Sequence, residues 1–155
     1  MKWLWQKLGV LAWWATLPAL MVYLSGGERT RVVIASGQKI VVVKGWLGDG
    51  KWTLPGGGLH KGEDPVAGLL REVAEETGIR LAAAQVAPLA FEQYHNRGIH
   101  FPCRYFFVEL PQEVPLRPQF LEIAAVAWVD RAALNAQSAN PDVIAGLRHA
   151  AARTA

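Results

Sequence analysis

The pattern of residues 63–78 predicts a helix, and it limits the fold more than any other feature of the chain. Asp64 is a typical capping residue, Pro65 suits the first helical position, and Gly78 can end a helix in the left-handed conformation. At 100° per residue the apolar side chains form one stripe, so we expect the helix to be buried on one side against a sheet. The stripe consists of Val66, Leu69, Leu70, Val73 and Thr77.

Strand signals lie on both sides of this helix. Apolar runs bounded by turn residues predict strands at 31–35, 39–44, 52–54, 85–94, 103–110 and 122–129. Residues 36–38 predict a hairpin turn, Asp130 can cap a short helix, and Asn140 precedes a final helix that runs towards Arg153. Strands and helices are mixed without strict alternation, which predicts an α/β or α+β domain with a mixed sheet.

The composition indicates one ordered domain. The chain has 155 residues, of which 52% are hydrophobic and 19% charged, and these values exclude a disordered chain. The formal net charge is +3, but the basic residues are scattered and form no cluster that could follow a phosphate backbone. We therefore expect no nucleic-acid partner, although a mild positive excess suits a polyanionic substrate.

The single cysteine, Cys103, cannot form an internal disulfide or a thiolate zinc cluster. A catalytic thiol would need a histidine partner, and His95 and His100 are close to it in the sequence. Because Cys103 begins an apolar stretch, we expect it to be a packed strand residue instead.

The first 27 residues form a hydrophobic, Trp-rich segment that precedes a domain over residues 28–155. Its most apolar part, residues 8–24, would be roughly 26 Å long as a helix, at the short edge for a hydrocarbon core of roughly 30 Å. A signal peptide fits poorly because no small-residue cleavage site follows. A membrane anchor and an apolar helix packed on the domain or on a partner both fit. We expect a cytoplasmic protein, with membrane association through residues 1–27 left open.

Three glutamates of the predicted helix project from one face. Glu72, Glu75 and Glu76 are spaced by three and four residues, so their carboxylates lie close together and repel each other. Such a cluster needs a counter-charge, and a hard divalent cation with oxygen ligands is the natural one. The alternative is an ordinary solvated face on which Arg71 pairs with Glu75.

The residues upstream favour the metal site. Glycines at 56, 57 and 58 allow backbone to approach a phosphate or to offer a carbonyl to a metal. From Gly57 there are five residues to Glu63, seven more to Arg71, and then the run REVAEETGI. This pattern resembles the Nudix box, G-x5-E-x7-R-E-U-x-E-E-x-G-U with U a bulky aliphatic residue, at every fixed position. The lead-in WTLPGGG at residues 52–58 is also similar to that family.

The resemblance implies an α/β/α sandwich and a hydrolase that cleaves the pyrophosphate bond of a nucleoside diphosphate linked to another moiety. The substrate would be a nucleotide or a nucleotide sugar, attacked by a metal-activated water. Glu75, Glu76 and the carbonyl of Gly56 would bind Mg²⁺ or Mn²⁺. Glu72 would either complete the metal site or act as general base.

The resemblance also implies supporting residues. Arg71 would orient a neighbouring glutamate, and Glu63 would support the metal ligands without binding the metal itself. Gly57 and Gly58 would form the phosphate loop. Some Nudix enzymes draw a further glutamate from outside the box, and Glu122 is the candidate because it precedes a late strand. An ordinary surface carboxylate is the alternative for Glu122.

Three points stay open. Glu92 is a second choice for the additional glutamate, and four aromatic residues are candidates for stacking on a base: Trp46, Phe91, Tyr94 and Trp128. A catalytically silent Nudix-type module that binds nucleotides or regulates another protein is the alternative function. Such modules usually lose glutamates of the box, and this sequence keeps all of them.

Overall fold

The computed structural model describes residues 7–16, 27–118 and 123–153. Three α-helices are present in these parts: α1 over residues 7–16, α2 over Pro65–Thr77 and α3 over Pro141–Arg153. The strands are β1 Arg29–Ser36, β2 Lys39–Gly45, β3 Ala87–Asn96, β4 Ile99–Glu109 and β5 Ile123–Asp130. Short 3₁₀ helices occur at Ala83–Gln85 and Arg131–Ala133.

The five strands form one mixed sheet in the order β3-β4-β1-β2-β5. β1 and β4 run parallel, and the other neighbours are antiparallel. Alternate residues of β1 face opposite sides: Val32 packs with Leu69 of α2, whereas Val33 packs with Val143 of α3. The helices therefore cover both faces, and the predicted α/β/α sandwich with a mixed sheet is confirmed.

A loop enters the sheet between β1 and β2, which pair with each other only at their hairpin end, at residues 35–36 and 39–40. Farther from the hairpin, Thr53 exchanges two backbone hydrogen bonds of 2.9 Å with Val43 of β2. On the β1 side, the N–H of Thr30 donates to the carbonyl of Gly57 at 2.9 Å, and that of Val32 donates to Pro55 at 3.0 Å. The glycine loop is thus bonded into the sheet, although the predicted strand at 52–54 is reduced to isolated bridges.

Helix α2 has the predicted ends. The side chain of Asp64 accepts the backbone N–H of Val66 at 3.0 Å and that of Ala67 at 2.9 Å, and Pro65 begins the helix. Gly78 closes it with φ 76°, in the left-handed conformation. These contacts satisfy N–H and C=O groups that a helix end otherwise leaves unpaired.

Several predicted strand boundaries were wrong, among them the start of β4, which is Ile99 and not residue 103. Residues 83–85 form a 3₁₀ turn, in which Gln85 Oε1 accepts the N–H of Ala82 at 2.9 Å, so β3 begins at Ala87 and not at residue 85. The β3–β4 turn is limited to Arg97 and Gly98, both with positive φ, because His95 and Asn96 still pair with β4.

The expectation for Cys103 is confirmed. It is fully buried in β4, and burial raises the pKa of its thiol to about 11. A thiol held protonated in this way is a poor nucleophile.

The N-terminal segment is described only over α1, and residues 1–6 and 17–26 lie outside the described residues. Gly9 of α1 lies against the backbone of Trp46, and Trp13 packs against the α3 side of the core. Within residues 7–16, 27–118 and 123–153, no helix combines the length and apolar character needed to cross a membrane. The division at residue 28 and the cytoplasmic location stay predictions.

We expect Asp64→Ala to destabilise the protein by about 1 kcal/mol, because α2 would lose the side-chain acceptor at its first turn. Denaturant unfolding followed by circular dichroism measures this loss. Asp64→Asn is the matched control, since asparagine also caps helices and should leave stability nearly unchanged. Equal losses in the two variants would show that the cap is not the cause.

Candidate active site

Arg71 of α2 is the centre of a group of ion pairs. Its guanidinium forms a two-bond fork with Glu63, from Nε to Oε1 and from Nη2 to Oε2, each 3.1 Å long. Its Nη1 donates to Glu72 Oε1 at 2.8 Å, and Nη2 donates to the carbonyl of Gly58 at 3.3 Å. Arg71 therefore joins the helix to the glycine loop and fixes the direction of Glu72, which is the geometry that an orienting role requires.

Glu63 lies just before α2 and is held from two sides. Besides the fork with Arg71, its Oε2 accepts the backbone N–H of His60 at 2.8 Å. The hydrogen bonds from Arg71 and from His60 lower the pKa of Glu63 to about 2. Gly68 gives the carboxylate room, because a Cβ there would lie 3.0 Å from Glu63 Oε2.

Glu72 lies directly against the glycine loop. A Cβ at Gly57 would come within 2.3 Å of Glu72 Cδ and 2.5 Å of both carboxylate oxygens. The carboxylate thus occupies the space that any side chain at residue 57 would need. Gly58 is different, since nothing lies within 4 Å of the position its Cβ would take.

Glu76 contacts the same loop one residue earlier. Its Oε2 accepts the N–H of Gly56 at 2.9 Å. Burial raises the pKa of Glu76 to about 7, while the charge of Arg31 and the Gly56 hydrogen bond act in the opposite direction. Glu72 adds a further increase because it is a second negative charge nearby. A cation bound at this point would stabilise the ionised form of Glu76.

Arg31 belongs to the site although the sequence did not single it out. Its side chain is only 12% exposed, its Nη1 donates to the carbonyl of Gly56, and its Nε lies 3.2 Å from Asp142 Oδ2 at the start of α3. Asp142 is itself buried and also accepts the N–H of Leu54 at 2.9 Å. Burial lowers the pKa of Arg31, but the surrounding negative groups, Asp142 first among them, raise it by more. The signal in the sequence was an arginine directly before the apolar run at residues 32–35.

The carbonyl of Gly56, a predicted metal ligand, therefore already accepts a bond from Arg31. A carbonyl oxygen has two lone pairs, so this bond leaves one for a cation. Gly56 itself has φ 132°, and a Cβ there would lie 2.2 Å from the carbonyl oxygen of Thr30. Both facts explain why the loop requires glycine at residue 56.

Glu75 is the most weakly held of the three predicted ligands. Its side chain is 39% exposed, and its Oε2 lies 3.8 Å from Arg71 Nη1. Among the described residues, no three His, Cys, Asp or Glu side chains are grouped closely enough to form a ready-made metal site. Glu72 and Glu76 each have a separate partner, so sharing one cation requires these carboxylates to turn towards each other.

Of the two candidates for an additional glutamate, only Glu92 belongs to the described residues. Glu122 lies outside the described residues. Glu92 of β3 binds Arg148 at 3.0 Å and His149 at 3.1 Å, both on α3, so it does not join the α2 glutamates.

A pocket of about 530 Å³ lies between β3 and the beginning of α3. Tyr94 is the one aromatic candidate in its lining, and its ring stacks on Phe101 at a centroid distance of 4.6 Å. The amides of Asn96 and Asn140 also line the pocket and are joined by a hydrogen bond of 3.2 Å. Asp142, two residues after Asn140, connects this region to Arg31 and the glycine loop.

The donor set fits a hard divalent cation. Carboxylates of Glu72, Glu75 and Glu76 and the carbonyl of Gly56 supply oxygen ligands only, which is the preference of Mg²⁺ and Mn²⁺. The loop leaves space for them because residues 56 and 57 carry no side chain.

The sandwich and its helix of glutamates against a glycine loop define a domain of the Nudix type. The family model described as NUDIX domain matches residues 27–148, and the chain belongs to this family. Enzymes of the family hydrolyse nucleoside diphosphate derivatives and generally need divalent metals.

Relatives and solved structures agree with this assignment. Nudix hydrolase 10 of Arabidopsis thaliana is 32% identical over 77% of this chain and 44% of that protein. Nucleoside triphosphatase NudI of Enterobacter sp. (strain 638) is 32% identical over 59% of this chain and 70% of that protein. The NUDIX domain of Shewanella oneidensis NrtR, solved with ADP ribose, has a TM-score of 0.69 at 18% identity, covering 83% of this chain and 88% of that one. The chain spans less than half the length of the plant relatives that it matches.

We expect Gly57→Ala to weaken Mn²⁺ binding without destabilising the fold, because the new methyl group would displace the carboxylate of Glu72 and not the backbone. Electron paramagnetic resonance of added Mn²⁺ measures the affinity, and we predict a loss of about tenfold or more. Gly58→Ala is the matched control and should bind Mn²⁺ like the wild type. A similar loss in both variants would contradict the assigned position of Glu72.

We expect Glu63→Gln to lower the Tm at neutral pH, because Arg71 would lose the ionised partner of its two-bond fork. The pKa of Glu63 is about 2 in the folded protein and 4.5 ordinarily, so its stabilising effect is complete above pH 4.5 and is lost as the pH falls towards 2. The Tm difference between wild type and variant should shrink over this range in thermal melts at a series of pH values. A difference that stays constant with pH would count against the ion pair.

Proposed function

We propose that this protein is a divalent-metal-dependent pyrophosphohydrolase that cleaves a nucleoside diphosphate linked to another moiety. The observation that carries the proposal is the pair of contacts between helix and loop. Glu72 fills the space at Gly57, and Glu76 binds the N–H of Gly56 at 2.9 Å. Two carboxylates of α2 thus contact consecutive residues of a loop whose residues 56 and 57 carry no side chain.

This arrangement supports one set of metal ligands. Glu72, Glu75, Glu76 and the carbonyl of Gly56 would hold Mg²⁺ or Mn²⁺. When bound, the metal neutralises pyrophosphate charge, lowers the pKa of an attacking water and stabilises the leaving phosphate oxygen. No covalent nucleophile is needed, in agreement with the buried and protonated Cys103.

The other residues of the site position these ligands. Arg71 fixes one oxygen of Glu72 and leaves the second free to accept a proton from water, so Glu72 suits the role of general base as well as that of ligand. Glu63 fixes Arg71 in turn through the two-bond fork. Arg31 holds the Gly56 carbonyl in place from the α3 side. Glu122 stays a predicted further catalytic residue.

The pocket between β3 and α3 is our candidate for the nucleoside end of the substrate. Tyr94 offers an aromatic ring, and the side-chain amides of Asn96 and Asn140 offer hydrogen-bond donors and acceptors. Relatives support a substrate of this class, since NudI is named a nucleoside triphosphatase and the NrtR domain was solved with ADP ribose.

We expect the purified protein to release phosphate-containing products from at least one compound in a panel of nucleoside triphosphates, dinucleotides and nucleotide sugars with Mg²⁺ or Mn²⁺. Glu76→Gln should reduce kcat by about a hundredfold or more, because it removes a charged ligand at the loop. Anion-exchange chromatography of the reaction products measures the turnover by the wild type and the loss in the variant.

Glu109→Gln is the matched control, because Glu109 is a surface carboxylate at the end of β4 and far along the chain from the glycine loop. It should retain wild-type activity. Equal turnover by Glu76→Gln would overturn the assigned site. Nucleotide binding without metal-dependent turnover of any compound would favour the silent binding module.

A further inference from the structure

Helix α1 is fixed on the domain by one of its sides. A Cβ at Gly9 would lie 2.0 Å from the carbonyl oxygen of Trp46, so the helix backbone is in direct contact with that loop. Trp13 packs against the core on the α3 side of the sheet. The guanidinium of Arg97, in the β3–β4 turn, lies 4.8 Å from the centre of the Trp14 ring. The contacts of Gly9 and Trp13 determine which face of α1 is turned outwards, and Trp14 lies at the edge of that face, half covered.

The outward face is apolar. Leu8 is 50% exposed, Leu11 71% and Trp14 51%, and their spacing of three residues places them side by side along the helix. We call these three residues the outer face of α1. Half of the six large hydrophobic residues exposed in the described parts of the chain belong to α1. A helix whose inner and outer sides are both apolar typically contacts a second apolar environment in addition to the core of its own domain.

The sequence around α1 indicates that this second apolar environment is a lipid bilayer. The first 27 residues contain no acidic residue, whereas Lys2 and Lys7 are basic and Trp3 and Trp5 precede α1. Apolar residues continue after the helix, through residues 17–24. Basic and tryptophan-rich segments with an apolar side are complementary to anionic headgroups above acyl chains.

We propose that the outer face of α1 lies in the surface of a lipid bilayer that contains anionic headgroups and holds the hydrolase domain there. Because Gly9 and Trp13 hold α1 against the domain, only its outer side can contact lipid, so α1 lies in the interface and does not cross it. Three side chains are too small a patch for a stable protein–protein interface. Insertion into lipid requires no matching surface, only apolar area and complementary charge.

Sedimentation with vesicles tests the proposal on the full chain. The wild type should sediment with vesicles of phosphatidylcholine and phosphatidylglycerol, and less with phosphatidylcholine alone. Leu11→Gln and Leu8→Gln should each lower the partition coefficient by about tenfold or more, because each removes one leucine from lipid contact. Phe91→Gln is the matched control, since Phe91 is 57% exposed on β3, and it should bind vesicles like the wild type.

Fold and hydrolytic activity serve as internal checks, because Leu8 and Leu11 lie far along the chain from the glycine loop and α2. Thermal melts and turnover without vesicles should match the wild type for both leucine variants. Three results would overturn the proposal: wild type that stays in the supernatant with both kinds of vesicle, leucine variants that sediment as well as the wild type, or a wild-type dimer that Leu11→Gln converts to monomer. The last result would assign the outer face to a second copy of the chain.

Discussion

The insertion of residues 52–58 between β1 and β2 is the constraint on which the rest of the structure depends. Backbone bonds from Thr30 to Gly57 and from Val32 to Pro55 fix the loop to one strand, and Thr53 fixes it to the other. A loop held on both sides has a defined backbone path, so its glycines can present N–H and C=O groups at set positions. The glutamates of α2 then meet a rigid surface, and the position of Glu72 follows from the missing side chain at Gly57.

Two charged networks hold this arrangement from opposite sides. Arg71 connects α2 to the loop on one side and is satisfied by Glu63 and Glu72. Arg31 connects the loop to Asp142 of α3 on the other side. Because the Arg31–Asp142 pair is buried, removing one partner alone would leave an uncompensated charge, which is far more costly than losing a surface ion pair. The buried pair thus makes the position of the Gly56 carbonyl depend on the packing of α3.

The sequence predicted the parts of the molecule that are governed by local rules. The ends of α2 follow from Asp64 and Gly78, and the β1–β2 hairpin follows from its turn residues, because each depends on contacts within a few residues. The ligand set followed from spacing on one helix and from resemblance to a known motif. Arg31 could not be predicted in the same way, since its partners, at residues 56 and 142, are brought together only by the fold. The separate partners of Glu72, Glu75 and Glu76 could not be predicted either. Helical spacing determines the face of the helix on which a side chain lies, but it does not determine the rotamer.

The central claim is that the glutamates of α2 and the glycine loop form one metal site. Anomalous diffraction from crystals soaked in Mn²⁺ tests it most directly, because it locates the metal without reference to substrate or turnover. The structure predicts a strong anomalous peak within coordinating distance of Glu72, Glu76 and the carbonyl of Gly56, with these carboxylates turned towards it. A peak at another place, or none in crystals that contain Mn²⁺ at saturating concentration, would contradict the account.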